Sequence, residues 1–216
     1  SMISHKQHDQ TTSGSEKPIG VQNPISEDLA VLRTSMLPSL LMTTAYNLNR
    51  STRTVSIFEI GRTYHYHDQV YNKCHEDFVL GAMLSGISRS KSWDRDEREF
   101  GFYDVQGIAD LFSSRFDTEL KRLPEVDSRF TGNSFVMTLA DQVVLVYGEL
   151  DPELVEGFDI DQGVYYLELN ISSLQQHYRS ETSVSEVSRF PDNRRDLSFQ
   201  IEESVMIGEI IDTIQK

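Results

Sequence analysis

The order of apolar and polar residues predicts a helix in the stretch 35–50. Its apolar residues recur at helical spacing and share one face, formed by Leu37, Leu40, Leu41, Thr44, Ala45 and Leu48. Thr34 or Ser35 can cap the start of this helix, and Pro38 fits its first turn, where a missing amide costs little. The helix is predicted to end near Arg50.

A long strand is predicted next, because residues 54–69 alternate between two faces. The face predicted to pack on the core carries Phe58, Ile60, Tyr64 and Tyr66. The face predicted to be polar and open carries Glu59, Gly61, Thr63, His65 and His67. The sequence therefore predicts a sheet with an open polar face along this strand.

The later segments indicate the α+β class, with helices between antiparallel strands. They predict, in order, a buried strand at 77–87, a helix from about Asp104, a hairpin turning at 140–142, a short helix capped by Asp151, a strand at 163–171 and helical turns at 172–178. The residues of the Asp104 helix predicted to face inward are Val105, Ile108, Ala109, Leu111 and Phe112.

Two polar stretches divide the chain. Residues 1–20 show no apolar period, which predicts a disordered lead-in. A second polar stretch at 179–188 precedes a restart of the pattern as one strand and one helix. The predicted organisation is a lead-in at 1–20, a core domain at 21–187 and, at 188–216, the β–α start of a second domain.

Composition and charge narrow the function classes. The 216 residues carry a formal net charge of -14, which repels nucleic acid at long range, so any such contact must be local or come from a partner chain. Cys74 is the only cysteine, so no internal disulfide can form. No apolar run approaches the roughly 20 residues that cross a bilayer, and no signal-peptide pattern is present. These features predict a cytoplasmic protein without a membrane partner.

Sequence motifs for phosphate loops, dinucleotide binding and serine nucleophiles are absent. His65 and His67 share one strand face, as metal ligands would, but no third ligand lies nearby, which favours two surface or interface histidines. Four carboxylates within 94–99 could bind a hard cation. The arginines between them favour a solvated, self-neutralising loop instead.

Three arginines, Arg189, Arg194 and Arg195, gather in this otherwise acidic chain. Forked guanidinium groups suit contacts with phosphates. Alternatively, one of them pairs with Asp192 or Asp196 and fixes the entry into the following strand. The residues alone leave both interpretations open.

Five segments occur in a fixed order: NPISEDLAVLRTSMLPSLLMTTAYNLNR, VSIFEIGRTY, FYDVQGIADLF, GELDPEL and SRFPDNRRDLSF. Together they resemble the beta subunit of bacterial-type phenylalanine–tRNA ligase, and the resemblance covers residues 21–216. It implies a non-catalytic core domain with the class II aminoacyl-tRNA synthetase fold, an antiparallel sheet flanked by helices. It also implies that the chain is a fragment, with a ferredoxin-like anticodon-binding domain begun at 188 and truncated at Lys216.

The resemblance implies an assembly role beside a catalytic alpha subunit, in an α2β2 enzyme that attaches phenylalanine to tRNA using ATP and Mg²⁺. This chain itself is predicted to be catalytically inactive and to hold no cofactor. Catalytic cores place an arginine after the GRxY strand, but here His65 follows, and an imidazole cannot fork onto a phosphate. Where catalytic cores have a glycine-rich strand, Leu167, Glu168 and Leu169 would crowd an adenine pocket.

The resemblance gives two groups of candidate residues and no catalytic, cofactor-binding or metal-binding residue. Candidates for a subunit interface or a relic of the catalytic pocket are Arg33, Arg50, Glu59, Thr63, His65 and Glu168. Candidates for contacts with tRNA phosphates are Arg189, Arg194 and Arg195. Two other interpretations remain: a free-standing metal-dependent enzyme that uses His65, His67 and the acidic loop, or a small-ligand binding module that uses the open sheet face.

Overall fold

The computed structural model of the chain describes residues 1–12, 16–68, 73–115, 120–124, 127–177, 195–196, 198, 200–202, 205, 210 and 213–214. The chain divides into two compact units, Ser1–Arg179 and Ser180–Lys216. Most residues of the predicted β–α start at 188–216 lie outside the described ones, as does the predicted boundary between residues 187 and 188. The ferredoxin-like start therefore remains a prediction.

The first unit mixes helices and strands. Its helices are α1 (His5–Thr11), α2 (Leu37–Leu48), α3 (Phe102–Arg115), α4 (Pro152–Glu156) and α5 (Ile171–His177), with a 3-10 turn at Glu27–Leu29. Its strands are β1 (Met2–Ile3), β2 (Val31–Leu32), β3 (Thr54–Tyr66), β4 (Cys74–Arg89), β5 (Arg98–Glu99), β6 (Lys121–Pro124), β7 (Phe130–Leu139), β8 (Gln142–Leu150) and β9 (Val164–Asn170). None of the helices in the described part of the chain is long and apolar enough to cross a membrane.

Within the described residues, seven strands form one antiparallel sheet. Six of them follow the order β3-β4-β9-β8-β7-β6, and β5 pairs with the end of β4. β3 and β4 pair without a register shift, from Thr54 opposite Gly86 to Tyr66 opposite Cys74. The predicted antiparallel α+β architecture is confirmed, with β3 at one edge of the sheet and β6 at the other.

Several local predictions are confirmed by backbone geometry. Ala140 and Asp141 have φ of 49° and 64°, as a tight two-residue hairpin turn between β7 and β8 requires. The Asp151 side chain accepts a hydrogen bond from the Glu153 amide at 2.9 Å and caps α4, whose first residue is a proline. These elements follow from neighbouring residues alone.

The start of α2 differs in one respect from the prediction. Pro38 lies in the first turn, as expected, but the N-cap residue is Met36, which offers no side-chain hydrogen bond. Ser35 contributes more weakly, since its hydroxyl accepts from the Leu37 amide at 3.3 Å. The predicted cap at Thr34 or Ser35 is therefore misplaced, and a side chain from the sheet binds the Met36 amide instead.

Helices cover both faces of the sheet over two apolar clusters. On one face, α2 and α4 pack on Met83 and Tyr166 of the sheet. On the other face, α3 and α5 pack on Leu145, Tyr147 and Leu167. The sheet residues of these clusters that are at most 1% exposed come from β4, β8 and β9, so the core lies at the centre of the sheet and away from its edges.

The predicted disorder of residues 1–20 is wrong for their first part. β1 pairs with β2, and Ile3 is buried opposite Val31. Ser4 then caps α1 in a reciprocal arrangement with the Gln7 side chain. Two apolar residues are too few to show a period, and their pairing partner lies far along the chain, so the sequence pattern could not reveal this strand.

The face of β3 that packs on the core is the opposite of the predicted one. Val55 and Thr63 are buried, whereas Phe58 is 70% exposed and Ile60 is 48% exposed. The reason lies in Gly81 of the neighbouring strand, whose bare backbone lets the start of α2 approach the polar face closely. The helices on the other side stop short of β3, which leaves its apolar face uncovered.

The prediction of the inward-facing residues of α3 is also wrong at one position. Val105 and Ala109 are buried, and Ile108 and Phe112 pack beside them, as predicted. Leu111 is 69% exposed. At about 100° per residue, position 111 points well away from the stripe shared by the other four.

Candidate functional site

The polar face of β3, β4 and β9 forms the floor of the candidate site. The registers place Glu59 opposite Gly81, and Gly81 opposite Glu168, so two carboxylates flank a glycine in one row across the sheet. A Cβ added to Gly81 would lie 2.5 Å from the Met36 Cβ. The start of α2 therefore packs directly on the backbone of the sheet at Gly81, where no side chain separates helix and strand.

Glu168 anchors the start of α2. Its Oε2 accepts hydrogen bonds from the Met36 amide at 2.7 Å and from the Tyr166 hydroxyl. Burial raises the pKa of Glu168, although these two hydrogen bonds and the charges of Arg129 and His65 act in the opposite direction. The side chain predicted to crowd a nucleotide thus satisfies an amide at the helix start and a buried hydroxyl.

Arg33 fastens the segment before α2 to β3. Its guanidinium is almost fully buried, donates from Nη1 to Glu59 Oε1 at 2.7 Å, and donates from Nε to the Arg62 carbonyl at 3.1 Å. The Arg33 carbonyl in turn accepts from the Tyr64 amide at 3.0 Å. Because these donors are used inside the fold, Arg33 is not placed to bind a phosphate.

His65 connects β3 with the N-terminal segment. Its Nδ1 lies 2.6 Å from Glu16 Oε1, and its Nε2 lies 3.8 Å from Asp77 Oδ2. The hydrogen bond with Glu16 raises the pKa of His65 most, and the charges of Asp77 and Glu168 add to this, while burial opposes it. The carboxylates around His65 therefore favour its protonated form.

The substitution His65→Gln is expected to lower the free energy of unfolding by about 1 kcal/mol in mildly acidic solution, because both partners are partly exposed and screened. The raised pKa means that this stability is fully present below the ordinary value of 6.5 and is lost as pH rises through the folded-state value. Denaturant unfolding at several pH values measures it. Glu16→Gln should weaken the same pH dependence, because Glu16 makes the largest contribution to it, and an unchanged pH profile in both variants would contradict the assignment.

Arg129 completes the site and was missed by the sequence analysis. Its Nε lies 3.1 and 2.9 Å from the two Asp127 carboxylate oxygens, and its Nη2 lies 2.6 Å from Oδ2. The D-x-R spacing could have suggested this forked pair. Its approach to Glu168 depends on the strand order, which places β7 two strands from β9, and no local pattern shows that.

A polar cavity of about 190 Å³ remains among these groups. Its lining residues are Thr11, Thr12, Glu16, Thr34, Ser35, His65, Arg129 and Glu168. Sites for small molecules typically enclose roughly 300–1,000 Å³. The two lining carboxylates, Glu16 and Glu168, offset the positive charge of Arg129 and His65, so the cavity offers no excess of positive charge to a triphosphate. Both the size and the charge of the cavity argue against nucleotide binding.

The structure brings together most of the candidates for a subunit interface or relic pocket. Those on or beside the polar face are Arg33, Glu59, Thr63, His65 and Glu168. Thr63 is buried, and its hydroxyl lies 3.3 Å from His65 Nε2. Arg50 lies elsewhere, since its guanidinium stacks 3.4 Å from the centre of the Tyr46 ring on the exposed side of α2.

The candidates for tRNA phosphate contacts are not tested by the structure. Arg195 is exposed, and Arg189 and Arg194 lie outside the described residues. Neither the phosphate interpretation nor the pairing with Asp192 or Asp196 is decided. These contacts remain predictions.

The metal interpretation finds no ligand set in the described part of the chain, where no group of three or more His, Cys, Asp or Glu side chains could hold an ion. The acidic loop before α3 is exposed and pairs with arginines. Asp94 lies 3.3 Å from Arg95, and Glu97 lies 2.9 Å from Arg53. This agrees with the solvated loop favoured by the sequence.

The fold is that of a class II tRNA synthetase. A pyrrolysyl-tRNA synthetase, PylSc, from Desulfitobacterium hafniense superposes with a TM-score of 0.59 at 16% identity, over 82% of this chain and 59% of that chain. A second structure of pyrrolysyl-tRNA synthetase from the same organism gives a TM-score of 0.55 at 14% identity, over 82% of this chain and 60% of that chain.

The family described as the phenylalanyl tRNA synthetase beta chain CLM domain matches residues 1–171, and the chain belongs to this family. The beta subunit of phenylalanine–tRNA ligase from Pseudoalteromonas translucida is 30% identical over 206 residues, covering 93% of this chain and 25% of the relative. The beta subunit from Dehalococcoides mccartyi is 28% identical over 218 residues, covering 100% of this chain and 27% of that relative. The chain thus spans about a quarter of the length of these relatives, and the family implied by the five segments is confirmed.

Proposed function

We propose that this chain is a non-catalytic assembly module of phenylalanine–tRNA ligase. The observation that carries the proposal is the filled polar face of the sheet. Glu168 and Tyr166 hold the start of α2 there, and Arg33 and His65 are bound to carboxylates of the same domain. Among the described residues of this face, Arg33, His65 and Arg129 are each paired with a carboxylate of the same chain, so none of the three is free to bind a triphosphate.

In this proposal the whole enzyme is an α2β2 assembly located in the cytoplasm. The alpha subunit joins phenylalanine to tRNA, and the chemistry supplied by ATP and Mg²⁺ takes place there. To that assembly this chain contributes its sheet and exposed surfaces such as the outer side of α2. Of the two kinds of role assigned to the candidate residues, a relic pocket fits Arg33, Glu59, Thr63, His65 and Glu168, because their polar groups are used within the fold.

Subunit contact remains the role proposed for the exposed side of α2. Arg50 and Tyr46 are stacked there, and Tyr46 is 59% exposed. A preformed aromatic–arginine pair is the type of surface group that often contributes most to a protein interface. Contacts with tRNA phosphates are proposed for Arg189, Arg194 and Arg195.

Co-expression with a tagged alpha subunit tests this function. The alpha subunit is expected to retain the full-length beta chain, and the substitution Tyr46→Ala combined with Arg50→Ala in that chain should weaken the retention. Arg62→Ala is a matched control, because Arg62 is also an exposed arginine but is paired with Glu76 on the sheet. A full-length beta chain that never associates with the alpha subunit would contradict the assembly role.

A further inference from the structure

A cavity with three acidic side chains lies where β8 ends and β9 begins. It measures about 450 Å³, and its walls are the end of β8, helix α4 and the loop that leads into β9. The carboxylates that line it are Glu149, Glu156 and Asp161. We call this cavity the acidic cleft. Its volume lies within the range typical of binding sites.

The walls of the acidic cleft are held in place by the fold itself. The Gln162 side chain donates to the Ser85 hydroxyl at 2.7 Å, and this buried hydroxyl donates to the Gly163 carbonyl at 2.9 Å. The Ile160 amide donates to the Val155 carbonyl at 3.3 Å, which joins the loop to α4. Because the loop is already fixed, a ligand does not have to order it on binding.

The carboxylates of the acidic cleft lack opposite charges. The residues that line the cleft include no Lys, Arg or His. Glu149, Glu156 and Asp161 form no ion pair with another described residue. By contrast, Glu59 on the polar face of the sheet is bound by an arginine. The cleft therefore carries negative charge that a bound cation would neutralise.

A second cavity extends this acidic surface. It measures about 580 Å³ and shares residues 160–162 with the acidic cleft as a common wall. Glu99 and Asp159 also line it. Its lining includes one basic side chain, Arg53, which is paired with Glu97 at 2.9 Å. The surface is thus acidic on both sides of the common wall.

The acidic cleft also has an apolar lining. Pro152 and Val155 of α4 line it together with Ile160 of the loop, and the last two belong to an apolar cluster of the core. The side chain of an arginine has the same two parts, an apolar stem and a charged, planar head. Its stem can lie on the apolar lining while its forked head binds the carboxylates.

We propose that the acidic cleft binds a basic segment of a partner protein, with an arginine side chain of that partner inserted beside Glu156 and Asp161. Charge complementarity selects this occupant. A second copy of a chain with a net charge of -14 is repelled, and so is a nucleic acid. The acidic cleft shares no lining residue with the polar cavity, so the inference does not depend on the proposed function.

An NMR titration of the isotope-labelled 216-residue chain with the peptide GRLRG tests the proposal. Saturable shifts are expected at the backbone amides of residues 149–163, and the neutral peptide GQLQG should cause none. The combined substitutions Glu156→Gln and Asp161→Asn should weaken the binding of GRLRG at least about fivefold, because they remove two charged acceptors for its guanidinium groups. Both substitutions keep the shape of the side chain.

The combined substitutions Glu153→Gln and Asp141→Asn provide the matched control, because they remove the same charge from exposed residues outside the cleft. Glu153 also lies on α4, as Glu156 does. The control variant should bind the peptide as the unaltered chain does. Equal weakening in both variants would show that the overall negative charge attracts the peptide, and this result overturns the proposal.

Two further outcomes also overturn the proposal. One is the absence of saturable shifts at residues 149–163 in the unaltered chain. The other concerns the full-length beta chain, which should bind the same peptide. If only the 216-residue chain binds it, another part of the same protein occupies the acidic cleft, and a partner protein is the wrong occupant.

Discussion

The substitution Gly81→Ala is expected to lower the free energy of unfolding by about 3 kcal/mol, the upper part of the range for overpacking in a tight core. The added Cβ would lie 2.5 Å from the Met36 Cβ and 2.9 Å from the Leu40 Cδ1. The Met36 atom belongs to the root of its side chain, so a rotamer change cannot relieve the contact. α2 would have to move off the sheet, and urea-induced unfolding measures the cost.

Gly107→Ala provides the matched control for this substitution. Gly107 lies in α3, and no atom would come within 4 Å of an added Cβ. Alanine there is expected to raise stability by about 0.5–1 kcal/mol, because glycine is a poor helix former. If Gly81→Ala were as harmless as the control, α2 would not be seated on the bare backbone of β4.

The substitution Glu168→Ala is expected to lower stability by about 2 kcal/mol, since it leaves two buried donors without an acceptor. One is the Met36 amide at the start of α2, and the other is the Tyr166 hydroxyl, which is completely enclosed. Denaturant unfolding at neutral pH measures the loss. The effect should be structural, and it should not depend on added nucleotide.

Glu168→Gln separates the hydrogen bonds from the charge. Both donors bind the same carboxylate oxygen, Oε2, so an amide oxygen in its place can accept both. The raised pKa of Glu168 means that its contribution is fully present below 4.5 and is lost as pH rises through the folded-state value. Glu168→Gln should therefore become more stable relative to the unaltered protein as pH rises. A loss as large as that of Glu168→Ala would show that the hydrogen bonds are not the cause.

Local rules were sufficient for much of the fold. The helical spacing from Leu37 to Leu48, the first-turn position of Pro38, and the cap at Asp151 depend on residues a few positions apart. The hairpin at Ala140 and Asp141 is equally local. Each of these elements was therefore predictable from the sequence.

The faces of β3 were not predictable, because both faces carry large residues. Periodicity shows that Phe58 and Glu59 point in opposite directions, and the apolar side would ordinarily be buried. The outcome was decided by Gly81 on the neighbouring strand, which admits Met36 to the polar side. A residue on one strand thus determined which face of the neighbouring strand is buried. Because the sequence does not show which residues of the two strands lie opposite each other, it could not predict this outcome.

The candidate site, like the fold, was only partly predictable from the sequence. The resemblance indicated His65 and Glu168 as positions where a catalytic core would differ. Their partners could not be read from the sequence, because Glu16, Met36 and Arg129 lie far along the chain from them. The polar face, which was expected to be open, therefore carries a network of internal hydrogen bonds instead.

The polar face of this synthetase-like sheet is filled by its own side chains, and we expect it to bind no nucleotide. Isothermal titration of ATP with Mg²⁺ into the 216-residue chain tests this expectation. The expected result is no saturable heat up to millimolar ATP, with or without phenylalanine. Saturable binding that is abolished by replacing Arg129 or His65 would contradict the claim.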